Sequence, residues 1–408
     1  MPFPRPALPA ALGALLFAAP LVAQVRAFTG ATLIDGTGRA PVANATVVVR
    51  DGRVVAAGAQ AAIPAGAERV DLAGKWVMPG LINAHGHVNA ARELGTYAMY
   101  GTTTVFSLGG EAADVFAARR AQDAATLNRS RVFVSGPVLA PNTPDEARTQ
   151  VAGVVAQQTD FVKIRVDDNL GTARKMTPEV YRAVIDEAHR RGSRVATHLF
   201  YLDDAKGLLD AGADLVAHSI RDAEVDAAVI AQLKARNICV VPTLMREVST
   251  FVYESTPAWF EDPLFKIHPD RAQVPGLMDP TRQQAMRTST AAQRYKVALE
   301  VASRNLKTLH DAGVAIAMGT DTGPAARFQG YFELMELELM AKAGLTPAQV
   351  LASATRTAAR CMGVERDLGT LEAGKWADFV VLDANPLSDI SNVRKISAVW
   401  IAGNRVPR

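Results

Sequence analysis

The pentapeptide Asn83-Ala84-His85-Gly86-His87 follows the apolar run Trp76-Val77-Met78-Pro79-Gly80-Leu81-Ile82. On an extended strand alternate side chains share a face, so His85 and His87 project to one side, where two imidazoles can hold a divalent metal. Two ligands do not make a site, and two ordinary polar residues at a strand end would read the same way. Four more chemistry-bearing residues sit in, or at the C-terminal end of, short apolar runs: Lys163 in Phe161–Ile164, His198 in Arg194–Leu199, His218 in Asp214–His218 and Asp321 in Ala315–Asp321. Such groups are costly to bury without a partner. Six ligand-capable residues at strand ends point to one shared site rather than to six separately satisfied core groups.

The elements that must position them read as alternating strands and helices. Eight apolar runs at 77–83, 103–108, 131–136, 161–166, 194–199, 214–219, 239–244 and 315–321 predict buried parallel strands. Helical segments such as Pro178 to Arg191, Leu202 to Ala211 and Ala223 to Arg236 fill the gaps. Thr177-Pro178 followed by Glu179 is a helix start, and Arg190-Arg191-Gly192 a helix stop. Eight such strands predict an α/β chain folded as a (β/α)8 TIM barrel over residues 77–365, with its chemistry at the C-terminal strand ends. The two chain ends, 28–76 and 366–408, carry short alternating strands and turn dipeptides such as Asp51-Gly52 and Gly403-Asn404, and predict one small discontinuous β-sandwich.

The order HxH on strand 1, Lys on strand 4, His on strands 5 and 6 and Asp on strand 8 resembles the amidohydrolase superfamily. Trp76 to His87 resembles that superfamily's PG-hydrophobic-D/N-x-H-x-H entry, and Leu368 to Leu382 is similar to its C-terminal G-x-hydrophobic-x-x-G-K-x-A-D signature. The imidazolonepropionase-like and prolidase-like groups are the most similar. The resemblance implies that His85, His87 and Asp321 bind one divalent metal and His198 and His218 a second, Zn2+ being the expected ion. It also implies that Lys163, neutral when buried, takes up carbon dioxide to form a bridging carbamate. The residues alone leave open a Lys163 paired with Asp167 or Asp168.

The expected reaction is attack of a metal-bound hydroxide on an amide, with Asp321 moving the proton to the leaving nitrogen. Tyr201 is placed either to hydrogen-bond the carbonyl oxygen or to serve structurally. Arg165, Arg221 and Arg246 lie near strand ends, as forks for a substrate carboxylate or as loop charges. The expected substrate is a small peptide-like molecule or an N-acyl amino acid. The alternatives are a one-metal cyclic-amide hydrolase of the imidazolonepropionase type, a lactone or organophosphate ester hydrolase, and a non-catalytic binding protein on the same fold.

Residues 245–304 form a long insertion after strand 7 carrying Phe251, Tyr253, Trp259, Phe260 and Phe265, read as a lid or substrate wall, or as a packed helical excursion. His189, His268 and His310 are not at strand ends and are left out of the site. The 408 residues exceed one ordinary core. A net charge of +3 without a basic stripe speaks against nucleic acid. Cys239 and Cys361, in apolar surroundings and without CxxC spacing, read as buried small hydrophobes, with thiolate sites and disulfide scaffolds excluded. Arg5, the apolar stretch Ala7 to Val22 broken by Pro9 and Pro20, and Ala23-Gln24 read as a signal peptide over 1–24. The expectation is a secreted or periplasmic enzyme with no membrane span in the mature chain, self-association left open.

Overall fold

The computed structural model describes residues 25–408, so the expected signal segment lies outside the described residues. Among the described residues no helix is long and apolar enough to cross a membrane. The chain starts in strands β1 (Val25–Leu33), β2 (Val42–Arg50), β3 (Arg53–Gly58), β4 (Glu68–Asp71) and β5 (Trp76–Pro79), and ends in β13 (Phe379–Leu382), β14 (Ile396–Ile401) and β15 (Asn404–Arg405). The two ends join in one mixed eight-stranded sheet, ordered β15-β14-β13-β5-β1-β2-β3 with β4 beside β1. It has a core of its own, where the Phe28 ring meets Phe379 at 4.9 Å and Trp400 at 4.7 Å, both edge-on.

Between the ends lie β6 (Leu81–Gly86), β7 (Thr102–Ser107), β8 (Arg131–Val134), β9 (Phe161–Arg165), β10 (Arg194–His198), β11 (Leu215–Ala217) and β12 (Cys239–Val241). They form two parallel sheets, β6-β7-β8 and β12-β11-β10-β9. Isolated parallel bridges run from Leu139 to Ile164, from Val240 to Ile316 and from Gly86 to Thr322. Seven of the eight expected strands are therefore regular.

The first expected strand is divided at Gly80, so that β5 pairs with the chain-end strand β13 while β6 pairs with β7. Gly80 is needed there because a Cβ would come within 2.0 Å of Thr103 Oγ1. The eighth, 315–321, is not a regular strand. The Thr320 and Asp321 N–H groups both donate to the one carbonyl of His85, and Asp321 takes φ +60°, which ends any ladder.

The insertion is a packed excursion of short helices that leads into the 22-residue helix Thr290–Asp311. Trp259 meets Phe260 and Phe265 edge-on at 4.6 and 4.7 Å, and Tyr253 is fully buried with its hydroxyl donating to Ala326 O at 2.6 Å. The expectation for the cysteines is overturned: Cys239 and Cys361 form a disulfide, with Cα atoms 5.8 Å apart across a sequence separation of 122. Cys239 opens β12 and Cys361 lies in the helix Arg356–Met362, a juxtaposition made by packing that chain spacing does not encode.

Candidate active site

The six strand-end residues converge. His85, on β6, presents Nε2 3.3 Å from Asp321 Oδ1, and His87 presents Nε2 2.8 Å from the same oxygen. Asp321 reaches them because Gly319 lets its segment run against β6; a Cβ there would sit 2.3 Å from Val241 and 2.9 Å from the His85 nitrogen. Lys163 Nζ lies 3.1 Å from His85 Nε2 and has no ion-pair partner among the described residues. His198 Nδ1 and His218 Nε2 are 2.7 Å apart and share a hydrogen.

The carboxylate considered as a partner for Lys163 goes elsewhere. Asp167 pairs with His198 Nε2 at 2.9 Å, and Asp168 accepts from the Tyr201 hydroxyl at 2.8 Å.

Burial dominates the electrostatics. Desolvation brings the Lys163 ammonium down to about 7 and His198 to about 4, and holds His85 and His218 well below the usual imidazole range. At Asp321 burial pushes the other way, yet the Arg327 guanidinium beside it outweighs burial and holds the carboxyl well below the usual carboxylate range. Asp167 behaves likewise: burial raises it, and the hydrogen bond from His198 brings it well below the usual carboxylate range.

The donor set fits a divalent cation. His87 Nδ1 donates to Gly109 O at 2.9 Å, which leaves Nε2 with a lone pair facing the Asp321 oxygen, two acceptors that need a cation between them. His85 Nδ1 is buried without a hydrogen-bond partner. One ligand atom each from His85, His87 and Asp321 lies within 4.8 Å of the others. His198 and His218 flank this group without joining it at that spacing, the rings of His85 and His218 standing 4.5 Å apart.

A cavity of about 390 Å³ opens over the group, lined by His85, His87, Lys163, Arg165, His198, Arg246, Asp321 and Arg327 among others. The arginines differ sharply. The half-buried Arg165 guanidinium has no hydrogen-bond or ion-pair partner among the described residues. Arg246 lines the cavity but is committed to Glu247 and to the Tyr295 hydroxyl. Arg221 does not line the cavity: it is fully buried, with Nε 2.9 Å from Glu247 and Nη1 donating to Leu199 O and Ser219 O.

Tyr201 stands in the structural role that was one of its two expected readings. Its hydroxyl is spent on Asp168, Lys175 stands 4.7 Å over its ring, and it does not line the cavity. Arg327 was missed; it pairs with Asp321 Oδ2 from six residues along a loop, with no strand-end pattern to mark it. The excluded histidines stay out: His268 bonds Gln329 O at 2.9 Å and His189 pairs with Asp214.

Comparison with known proteins identifies the family. The model of the Amidohydrolase family matches residues 76–406. An imidazolonepropionase from Pseudomonas paraeruginosa is 26% identical, over 90% of this chain and 92% of that protein. Among solved structures, a "putative prolidase" from Bifidobacterium longum is 28% identical with a TM-score of 0.77, covering 95% of each chain. A Xaa-Pro dipeptidase with bound methionine, 19% identical, superposes with a TM-score of 0.76 over 94% of this chain and 99% of that one, a likeness of fold. The family uses divalent metals, and the His-His-Asp group is where this chain offers to hold one. Because the family match runs from β5, just ahead of the two histidines, through the strands that end the chain, the protein belongs to the amidohydrolase family and is a hydrolase acting on carbon–nitrogen bonds.

Proposed function

We propose that this protein is an exported amidohydrolase with a binuclear zinc centre, cleaving the amide C–N bond of a small substrate that ends in a carboxylate. In this reading the two parallel sheets and segment 315–321 close into a (β/α)8 barrel, with the chain-end sheet curled into a sandwich beside it. His85, His87 and Asp321 would hold one ion and His198 and His218 a second, with Lys163, as a carbamate, supplying the anion between them. The observation that carries it is the state of Lys163: fully buried, its amine brought down to about 7 by desolvation, beside His85, and without a carboxylate ion-pair partner among the described residues. A neutral amine adds carbon dioxide by forming an N–C bond and releasing one proton, which yields the anion needed between two cations.

When bound, the metals supply Lewis acidity toward the scissile carbonyl and make water a stronger acid. Asp321, kept ionised, is the base that takes the proton from the attacking water and passes it to the leaving nitrogen. Arg165, a cation with nothing else to bind, receives the substrate carboxylate as a two-pronged donor. Export is supported by the Cys239–Cys361 disulfide, a bond that persists in oxidising compartments.

A second reading, a one-metal cyclic-amide hydrolase, is favoured by the fact that His85, His87 and Asp321 alone meet the spacing of a ligand group among the described residues. Metal content by plasma mass spectrometry, on wild type and Lys163→Ala purified with bicarbonate, separates the two. About two ions falling in the variant supports the bridged pair; one ion in both selects the second reading.

A further inference from the structure

The helix Tyr331–Lys342 carries two fully buried glutamates one turn apart, Glu333 and Glu336, on the same face as Leu337 and Met340. Burying a carboxylate is costly unless it is hydrogen-bonded, and an apolar side chain would fill the space at less cost. What these two carboxylates touch is therefore informative.

Glu333 Oε1 accepts from Asn83 Nδ2 at 2.6 Å, Thr320 Oγ1 at 2.7 Å and Thr322 Oγ1 at 2.6 Å. Thr320 and Thr322 flank Asp321. Asn83 in turn accepts the His85 N–H on Oδ1 at 2.9 Å. Thr322 also meets the Tyr97 hydroxyl, which donates to the His87 carbonyl at 3.1 Å. One carboxylate oxygen thus ties together the backbone on which His85, His87 and Asp321 stand.

Glu336 accepts the N–H groups of Leu244 and Met245 at 2.9 and 2.7 Å, one on each oxygen. These open the turn after Thr243, which is held at φ +50° with Oγ1 2.7 Å from His218 Nδ1. The ring nitrogen that faces His198 is set by that contact.

We propose that Glu333 and Glu336 are positioning residues for metal binding: Glu333 fixes the His85/His87/Asp321 group and Glu336 fixes His218 through Thr243, so that one helix sets both halves of the ligand set. The proposal rests on the metal-dependent reading above.

The geometry makes the two sites differ in what they tolerate. Glu333 uses only Oε1, its Oε2 being without a partner, so Glu333→Gln keeps the acceptor whereas Glu333→Met removes it. Glu336 uses both oxygens, so Glu336→Gln sets an NH2 against an N–H donor. The test is calorimetric titration of the metal-free proteins with zinc chloride, alongside their melting temperatures without metal. Expected are zinc affinities about 10–100-fold weaker for Glu333→Met, Glu336→Gln and Thr243→Val, and near-wild-type affinity for Glu333→Gln.

If Glu333→Met does not fold, Thr320→Val and Thr322→Val each remove one of its links and are expected to weaken zinc in the same direction. Folded Glu333→Met, or the threonine variants in its place, and Glu336→Gln that bind zinc within about twofold of wild type overturn the proposal, as does Glu333→Gln binding as weakly as Glu333→Met. A wild type that takes up no divalent ion overturns the metal reading itself, and this inference with it.

Discussion

Lys163 Nζ lies 3.1 Å from His85 Nε2, a cation-forming amine against an imidazole. Desolvation holds the amine at about 7 in the folded protein, against roughly 10.4 in an unfolded chain. Between those values the unfolded chain binds the extra proton, so the stability of the metal-free protein rises with pH across that window; the cost is full below about 7 and gone above about 10.4. Urea unfolding in the presence of a chelator should show wild type gaining on the order of 4 kcal/mol relative to Lys163→Met between these limits. Parallel pH profiles for the two proteins would show that the amine is not depressed.

Arg165 and Arg221 are expected to part company on substitution. Arg165→Met removes a side chain with no hydrogen-bond or ion-pair partner among the described residues, so KM for a carboxylate-bearing substrate rises, by about 10–100-fold, while the melting temperature holds. Arg221→Met leaves Glu247 with Arg246 as its remaining cation and removes the donors to Leu199 O and Ser219 O, and costs about 1–3 kcal/mol of stability. Steady-state kinetics with matched acidic and neutral amides, plus thermal unfolding, check both; an unchanged KM ratio between the amides removes Arg165 from recognition.

Tyr201→Phe loses only a hydrogen bond to Asp168 and is expected to leave kcat within about threefold of wild type. Asp321→Asn keeps the shape but removes both the base and an anionic ligand, so kcat falls by about 100-fold or more and metal content drops with it. A Tyr201→Phe enzyme as slow as Asp321→Asn would return Tyr201 to the reaction.

The disulfide closes a loop of 122 residues, so its reduction, or replacement of both Cys239 and Cys361 by Ser, should lower unfolding free energy by about 2–5 kcal/mol. Denaturant midpoints with and without reductant measure this. Coincident midpoints would mean that the bridge adds nothing to packing.

The sequence by itself determined the parallel strands and the residues at their ends. Apolar runs bounded by turn and helix signals fix where β6 to β12 lie, and polar residues in such runs stand out because burying them is costly. His85, His87, Lys163, His198, His218 and Asp321 were legible for that reason. What depended on contacts between distant segments was not: the Cys239–Cys361 bond, the Arg327 partner of Asp321, the commitment of Arg221 to Glu247 and of Tyr201 to Asp168, and the division of the first strand at Gly80. A strand's period of two is written in the residues themselves, whereas the partner a side chain finds is set by which elements pack against it. Tertiary structure alone therefore decided which arginine stayed free to face the cavity, and that two glutamates of one helix hold the backbone of the site.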